Sequence, residues 1–154
     1  MKNIQHGVGL VEVLVALVLL AIGILGFIGL QLKAIDASAE ARQQVLALTI
    51  ARDLAERMRA NPEATLKRYY QPLVVSEHSV AKIAKQDVLE IQSQAKDYGM
   101  NLVVDQCPSG KSRQCIYVAW NTTLLVKDGK TDLTQCIENG TYVPNSHCLF
   151  LEAY

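Results

Sequence analysis

Val8–Leu32 reads VGLVEVLVALVLLAIGILGFIGLQL, twenty-five residues that are apolar or Gly except at Glu12 and Gln31. An uninterrupted apolar run beyond about 18 residues predicts a transmembrane helix, and at 1.5 Å per residue this one spans a ~30 Å hydrocarbon core. A helix on the surface of a soluble core keeps a polar face, which this stretch lacks. Glu12 breaks the pattern. A carboxylate costs roughly 2.5–3.5 kcal/mol at the centre of a membrane helix and less near its end, so a partner is expected for it.

The preceding residues, Met1–Gly7 (MKNIQHG), carry one Lys, one His and no acid. A secretory signal would have an apolar region of about 7–15 residues and then small residues at the cut. Here the run is longer, and it passes into an amphipathic helix with no such site. Two readings follow. In one, the chain keeps a plain N-terminal anchor. In the other it is cut between Gly7 and Val8, which places a new amino group four residues from Glu12. That amine, on the same chain or a neighbour, would neutralise the acid in its low-dielectric setting.

The stretch HG-VGLVEVLVALVLLAIGILG resembles the class III signal of type IV pilins: a short basic leader, Gly before the cut, and Glu as the fifth mature residue. The resemblance implies cleavage after Gly7 by a membrane aspartyl peptidase and N-methylation of Val8. It also implies pairing of Glu12 with the N-terminal amine of an adjacent subunit during assembly. A second segment, Ala51–Pro62 (ARDLAERMRANP), resembles the minor pilin family PilV, the pilus modification proteins.

The chain has 154 residues with 15 basic and 15 acidic side chains. Without leader and apolar run, about 120 residues remain, enough for one modest core. The balanced charge favours neither nucleic acid nor anionic lipid as a direct partner. Arg52, Arg57 and Arg59 alternate with Asp53 and Glu56, as on a solvated helix face. Cys107, Cys115, Cys136 and Cys148 all lie in the last third. An even, clustered set predicts disulfides formed in an oxidising compartment. Three pairings are open. The sequential one closes loops of 9 and 13 residues. Their spacing fits no zinc pattern, and His147 beside Cys148 is isolated. No metal and no cofactor are expected.

Along the chain, Lys33–Ala60 has neither Gly nor Pro and is rich in helix formers, so the membrane helix should continue to about Ala60 as a rod of about 80 Å from Val8. Ala47, Ile50, Ala51, Leu54 and Met58 form an apolar stripe. Asn61-Pro62 ends the helix. Gly23, Gly26 and Gly29 read either as a small-residue face for helix approach or as a point where the helix can stretch. Pro62–Val80 reads as a connection. Ser79–Tyr98 reads as an amphipathic helix with its apolar face at Val80, Ile83, Ala84, Val88, Ile91 and Ala95, Ser79 or Ser76 as N-cap and Gly99 as its stop.

Strands follow at Leu102–Cys107, at Cys115–Asn121, where Ile116, Val118 and Trp120 alternate with Tyr117 and Ala119, and at Cys148–Ala153. Asp128-Gly129 predicts a hairpin turn. Thr131–His147, with Asn139-Gly140, reads as a loop. The fold class is α+β, and it matches the pilin plan that the resemblance implies: a long N-terminal helix, its second half packed on a small antiparallel sheet, with a disulfide-bounded C-terminal region. The parts are a leader at 1–7, a transmembrane part at 8–32, an amphipathic continuation at 33–61 and a globular head at 62–154.

No phosphate loop, nucleophile elbow or H-E-x-x-H appears, and the enzyme reading is poor. Asn121-Thr122-Thr123 and Asn139-Gly140-Thr141 fit the glycosylation pattern but read as turns. The resemblance implies a minor pilin in the inner membrane with its head in the periplasm, later in the pilus fibre at the cell surface. Its partners would be membrane lipid before assembly, the prepilin peptidase, the inner-membrane assembly platform, the major pilin and other minor pilins. It would support twitching motility, adhesion or DNA uptake. The rivals are a minor pseudopilin of a type II secretion system and an uncleaved, membrane-anchored periplasmic binding module.

Overall fold

A computed structural model describes residues 9–72, 76–108 and 110–153. The chain divides into two units, Met1–Ala41 and Arg42–Tyr154. Helix α1, Leu10–Ala60, contributes residues to both. In the first unit its side chains from Leu10 to Ala39 are all exposed. The most apolar 18-residue window has a mean hydropathy of 3.0 and none of it is buried, and α1 is long and apolar enough to cross a membrane.

In the second unit the expected stripe becomes core: Ala47, Ile50, Ala51, Leu54, Ala55 and Met58 are buried. The helix ends at Ala60 because the residue before a proline is driven out of the α region, and Asn61 has φ −126° and ψ 70°. Pro62 then opens a second helix, α2, Pro62–Leu66, where its missing N–H costs nothing. The Asn61 side chain accepts the Ala64 N–H at 3.4 Å. The stretch expected to be a plain connection thus begins with a helical turn. It also contains Tyr70, 2% exposed in the core.

Helix α3, Ser79–Asp97, has His78 at its N-cap with no side-chain cap, so neither Ser79 nor Ser76 fills that place. Its other end closes as expected at Gly99, where φ is +71°. The Gly99 N–H donates to Lys96 O at 2.9 Å and the Met100 N–H to Ala95 O at 2.9 Å. This pair of bonds satisfies the last carbonyls and turns Met100 into the core beside Ala95. Of the expected apolar face, Ala84, Ile91 and Ala95 are buried, but Ile83 is 55% exposed.

Strands β1 (Asn101–Cys107), β2 (Gly110–Ala119) and β7 (Cys148–Glu152) form an antiparallel sheet in the order β1-β2-β7. The register pairs Val104 with Ile116 and Ile116 with Leu151. Strand alternation sends Leu102, Val104, Ile116, Val118 and Ala153 into one core with the α1 stripe and α3. Val103, Cys115, Tyr117, Ala119 and Cys148 form a second core with Leu125 and Cys136. Both faces of the sheet are covered.

The second cover is the C-terminal chain. It holds two short hairpins, β3–β4 (Val126–Lys127 and Lys130–Thr131) and β5–β6 (Ile137–Glu138 and Thr141–Tyr142). Asp128-Gly129 turns the first as expected. Asn139-Gly140 turns the second, inside the stretch read as a loop; both of its residues have positive φ, 52° and 81°.

Candidate assembly site

Glu12 is the third residue of α1, and its N–H donates to Gly9 O at 3.0 Å. The first turn of a helix presents unpaired N–H groups and the positive end of the dipole, which favours a carboxylate there. Glu12 is exposed, and so is the apolar surface that follows it: Leu14, Val18 and Leu25 are each more than half accessible. An apolar surface of that extent has to be covered by lipid or by other apolar helices. Gly7 and Val8, the residues expected to flank the cut, lie outside the described residues.

The glycines of the helix interior meet nothing: a Cβ at Gly23, Gly26 or Gly29 would find no atom within 4 Å. Among the described residues nothing packs against these positions so closely as to require glycine.

The four cysteines pair sequentially. Cys107–Cys115 joins β1 to β2 with Cα atoms 4.9 Å apart, and Cys136–Cys148 ties the C-terminal chain to the start of β7 at 5.8 Å. All four cysteines lie in the second core. Cys136–Cys148 holds the cover on the sheet, and Cys107–Cys115 links two of its strands.

Between α1 and α3 the structure assembles a charged cluster that spacing along one helix did not show. Arg57 Nη1 donates to Asp87 at 3.1 Å and to Glu90 at 3.0 Å, and Arg57 Nε to Asp53 at 3.4 Å. Arg57, expected on a solvated face, has a side chain only 28% exposed. Its hydrogen bond to Glu90 holds it firmly protonated, and Arg57 in turn holds the Glu90 carboxyl below the usual carboxylate range. The Tyr70 hydroxyl donates to Asp87 Oδ2 at 3.3 Å. Burial first, and the Asp87 charge second, push that phenol up to about 12. The signal for this cluster was an acidic pair three residues apart in α3 facing an Arg in α1, visible only once the two helices are packed.

A long apolar helix with a carboxylate in its first turn, and a helical stripe packed on a disulfide-held antiparallel sheet, make a pilin-like α+β architecture. Comparison with known families agrees: residues 2–28 match the prokaryotic N-terminal methylation motif, and residues 29–102 match the family of type IV pilin Tt1218. No curated protein and no solved structure matches the chain. The two family matches adjoin at residues 28 and 29, within α1.

Proposed function

We propose that this chain is a minor pilin of the PilV type, a structural subunit that takes part in priming and assembling a type IV pilus. The observation that carries the reading is Glu12 at the head of the exposed apolar part of α1, inside the methylation-motif match. The likeness of Ala51–Pro62 to PilV favours the minor role and the pilus over a secretion pseudopilus.

The steps are those that the resemblance to type IV pilins implies. The precursor sits in the inner membrane with Lys2 on the cytoplasmic side and the head in the periplasm. The peptidase removes 1–7 and methylates Val8. The helix at 8–32 then leaves lipid by packing against other pilin helices, with Glu12 neutralised by a neighbour's terminal amine. The continuation at 33–61 joins it to the head at 62–154. Twitching motility, adhesion or DNA uptake would then depend on the fibre that contains the chain.

The test is incorporation. Glu12→Ala should insert in the membrane at the wild-type level but be depleted from filaments sheared off cells. Normal incorporation would refute the charge-pairing step, and absence of the wild-type chain from sheared filaments would refute the pilus assignment.

A further inference from the structure

Strand β7 has a strand partner on one side only, because β2 lies between it and β1. Two bonds fix which main-chain groups face that partner: Trp120 N–H donates to His147 O and Ala153 N–H to Gln114 O, both at 2.9 Å. In an antiparallel pair these directions alternate, so Leu149 and Leu151 also turn their N–H and C=O toward β2, while Cys148, Phe150 and Glu152 turn theirs away. The Phe150 N–H agrees: it donates to the hydroxyl of Tyr142, on β6, at 3.3 Å. Among the described residues no main-chain bond reaches the Cys148 or Glu152 N–H from that side. An open edge is normally blunted by a charge, a proline or a bulge. The five residues of β7, CLFLE, carry no charge before Glu152 and no proline, and their register with β2 runs without a shift. The Glu152 carboxylate is itself taken up by Arg113 Nη1 at 2.7 Å. The opposite edge of the sheet is capped, where Gln92 Nε2 from α3 donates to Leu102 O on β1 at 2.9 Å.

We propose that the outer edge of β7 receives an extended segment of a different pilin-type subunit, added antiparallel so that it continues the sheet. The edge specifies this chemistry: its main-chain donors and acceptors match another strand, whereas a helix spends its own within itself. Leu149 and Leu151 border the core shared with α1, and Phe150 borders the second core. The added strand therefore meets an apolar surface on both faces and is apolar on both, like any strand covered on two sides. As it docks, the Phe150 N–H passes from the Tyr142 hydroxyl to a main-chain carbonyl of the segment. That the partner is a different subunit rests on the proposed filament role. Antiparallel pairing of β7 with the β7 of a second copy needs a two-fold axis, which chains pointing the same way along one fibre lack.

The experiment places the photo-crosslinking residue p-benzoylphenylalanine at position 142 of the full-length chain in cells, where the ring lies 5.5 Å from that of Phe150 and is half exposed. Adducts are identified by mass spectrometry and their yields compared in Glu152→Ala and Glu152→Pro. Both variants lose the ion pair with Arg113, but only the proline loses the outward N–H, at an edge position that tolerates it. The expected adduct joins position 142 to an apolar segment of a different pilin-type subunit. Glu152→Pro should lower its yield roughly fivefold relative to Glu152→Ala, the scale of one main-chain hydrogen bond. Amide exchange on the detergent-solubilised wild-type chain should be fast at Cys148 and Glu152 and slow at Leu149 and Leu151. Slow exchange at Cys148 and Glu152, no adduct, an adduct to a second copy or to a protein of another kind, or equal yields from the two variants would overturn the proposal. Equal yields with the chain present in sheared filaments would overturn the edge contact and leave the pilin role standing. A proline-sensitive adduct in cells whose sheared filaments lack the chain would keep the edge contact and overturn the filament role.

Discussion

Arg57 on α1 and Asp87 on α3 meet at 3.1 Å, thirty residues apart in sequence, and Tyr70 from the intervening connection bonds to both: its hydroxyl lies 3.3 Å from Asp87 Oδ2 and 3.3 Å from the Arg57 carbonyl. One point thus ties the connection, α1 and α3 together. Removing the guanidinium leaves the half-buried Asp87 carboxylate to the phenol, without a countercharge at this point. Arg57→Ala should cost about 1.5–3 kcal/mol, the range for hydrogen bonds to charged groups. Arg57→Lys should recover only part of it, since an ammonium cannot fork between Asp87 and Glu90. Thermal unfolding of the detergent-solubilised chain measures both, and equal stability of wild type and Arg57→Ala would contradict the tie.

Two buried phenols predict an alkaline limit. Tyr70 and Tyr117 are both held up to about 12, against 10.0 for a free phenol, first by burial and then by the charges of Asp87 and Asp105 respectively. Their folded values lie above their unfolded ones. The stability they contribute is therefore complete below about 10 and is lost as pH rises through about 12. Denaturation midpoints followed over that window should fall. Tyr70→Phe should flatten the fall, and an unchanged slope in that variant would contradict the assignment.

The carboxylate side gives the opposite dependence. Glu90 is held below its ordinary value by Arg57, so its contribution is present above about 4.5 and fades as pH falls through its lowered value. Glu90→Gln should remove that acid-side loss when midpoints are followed downward from neutral pH. A wild-type acid slope in Glu90→Gln would show that Glu90 does not carry it.

The Cys136–Cys148 bond closes a stretch with a sequence separation of 12 and holds the cover over the second core. Replacing both cysteines with Ser should cost roughly 3 kcal/mol by the chain-entropy account. The loss should appear as faster proteolysis within 120–147, because Leu125 and Ile137 lose their anchorage on the sheet. Unchanged proteolysis would mean that Leu125 and Ile137 hold the cover without the bond.

The elements carried by periodicity were legible in the sequence alone. The α1 stripe reads at helical spacing and is buried as expected, and Ile116, Val118 and Trp120 alternate with Tyr117 and Ala119 on opposite faces of the sheet. What alternation alone cannot say is whether the second face meets solvent. Here it meets Leu125, Leu133 and Cys136 from the chain that follows β2. Ile83 fits the apolar spacing of α3 yet is exposed, because the core takes only the side of the helix that carries Ala84, Ile91 and Ala95. The Asn139-Gly140 hairpin was signalled by its turn residues but lies in strands of two residues each, too short to show alternation. The Arg57 cluster depends on tertiary packing and left no local mark. At the assembly site, Glu12 within an apolar run was evident at once. The proposed processing at Gly7 and Val8 would be the work of a separate peptidase, and both residues lie outside those the structure describes.

Processing at Gly7 is nevertheless sharply testable by substitution. Gly7→Phe should block cleavage and leave the full-length chain in the membrane fraction, seen as a band carrying the additional seven residues of the leader. A processed product from this variant would refute the assigned cut.

The most direct test of the account is the N-terminus itself, read by mass spectrometry on protein from the membrane fraction and from sheared filaments. The account predicts a peptide beginning at N-methylated Val8 in both. An intact Met1 in cells with active prepilin peptidase would contradict it.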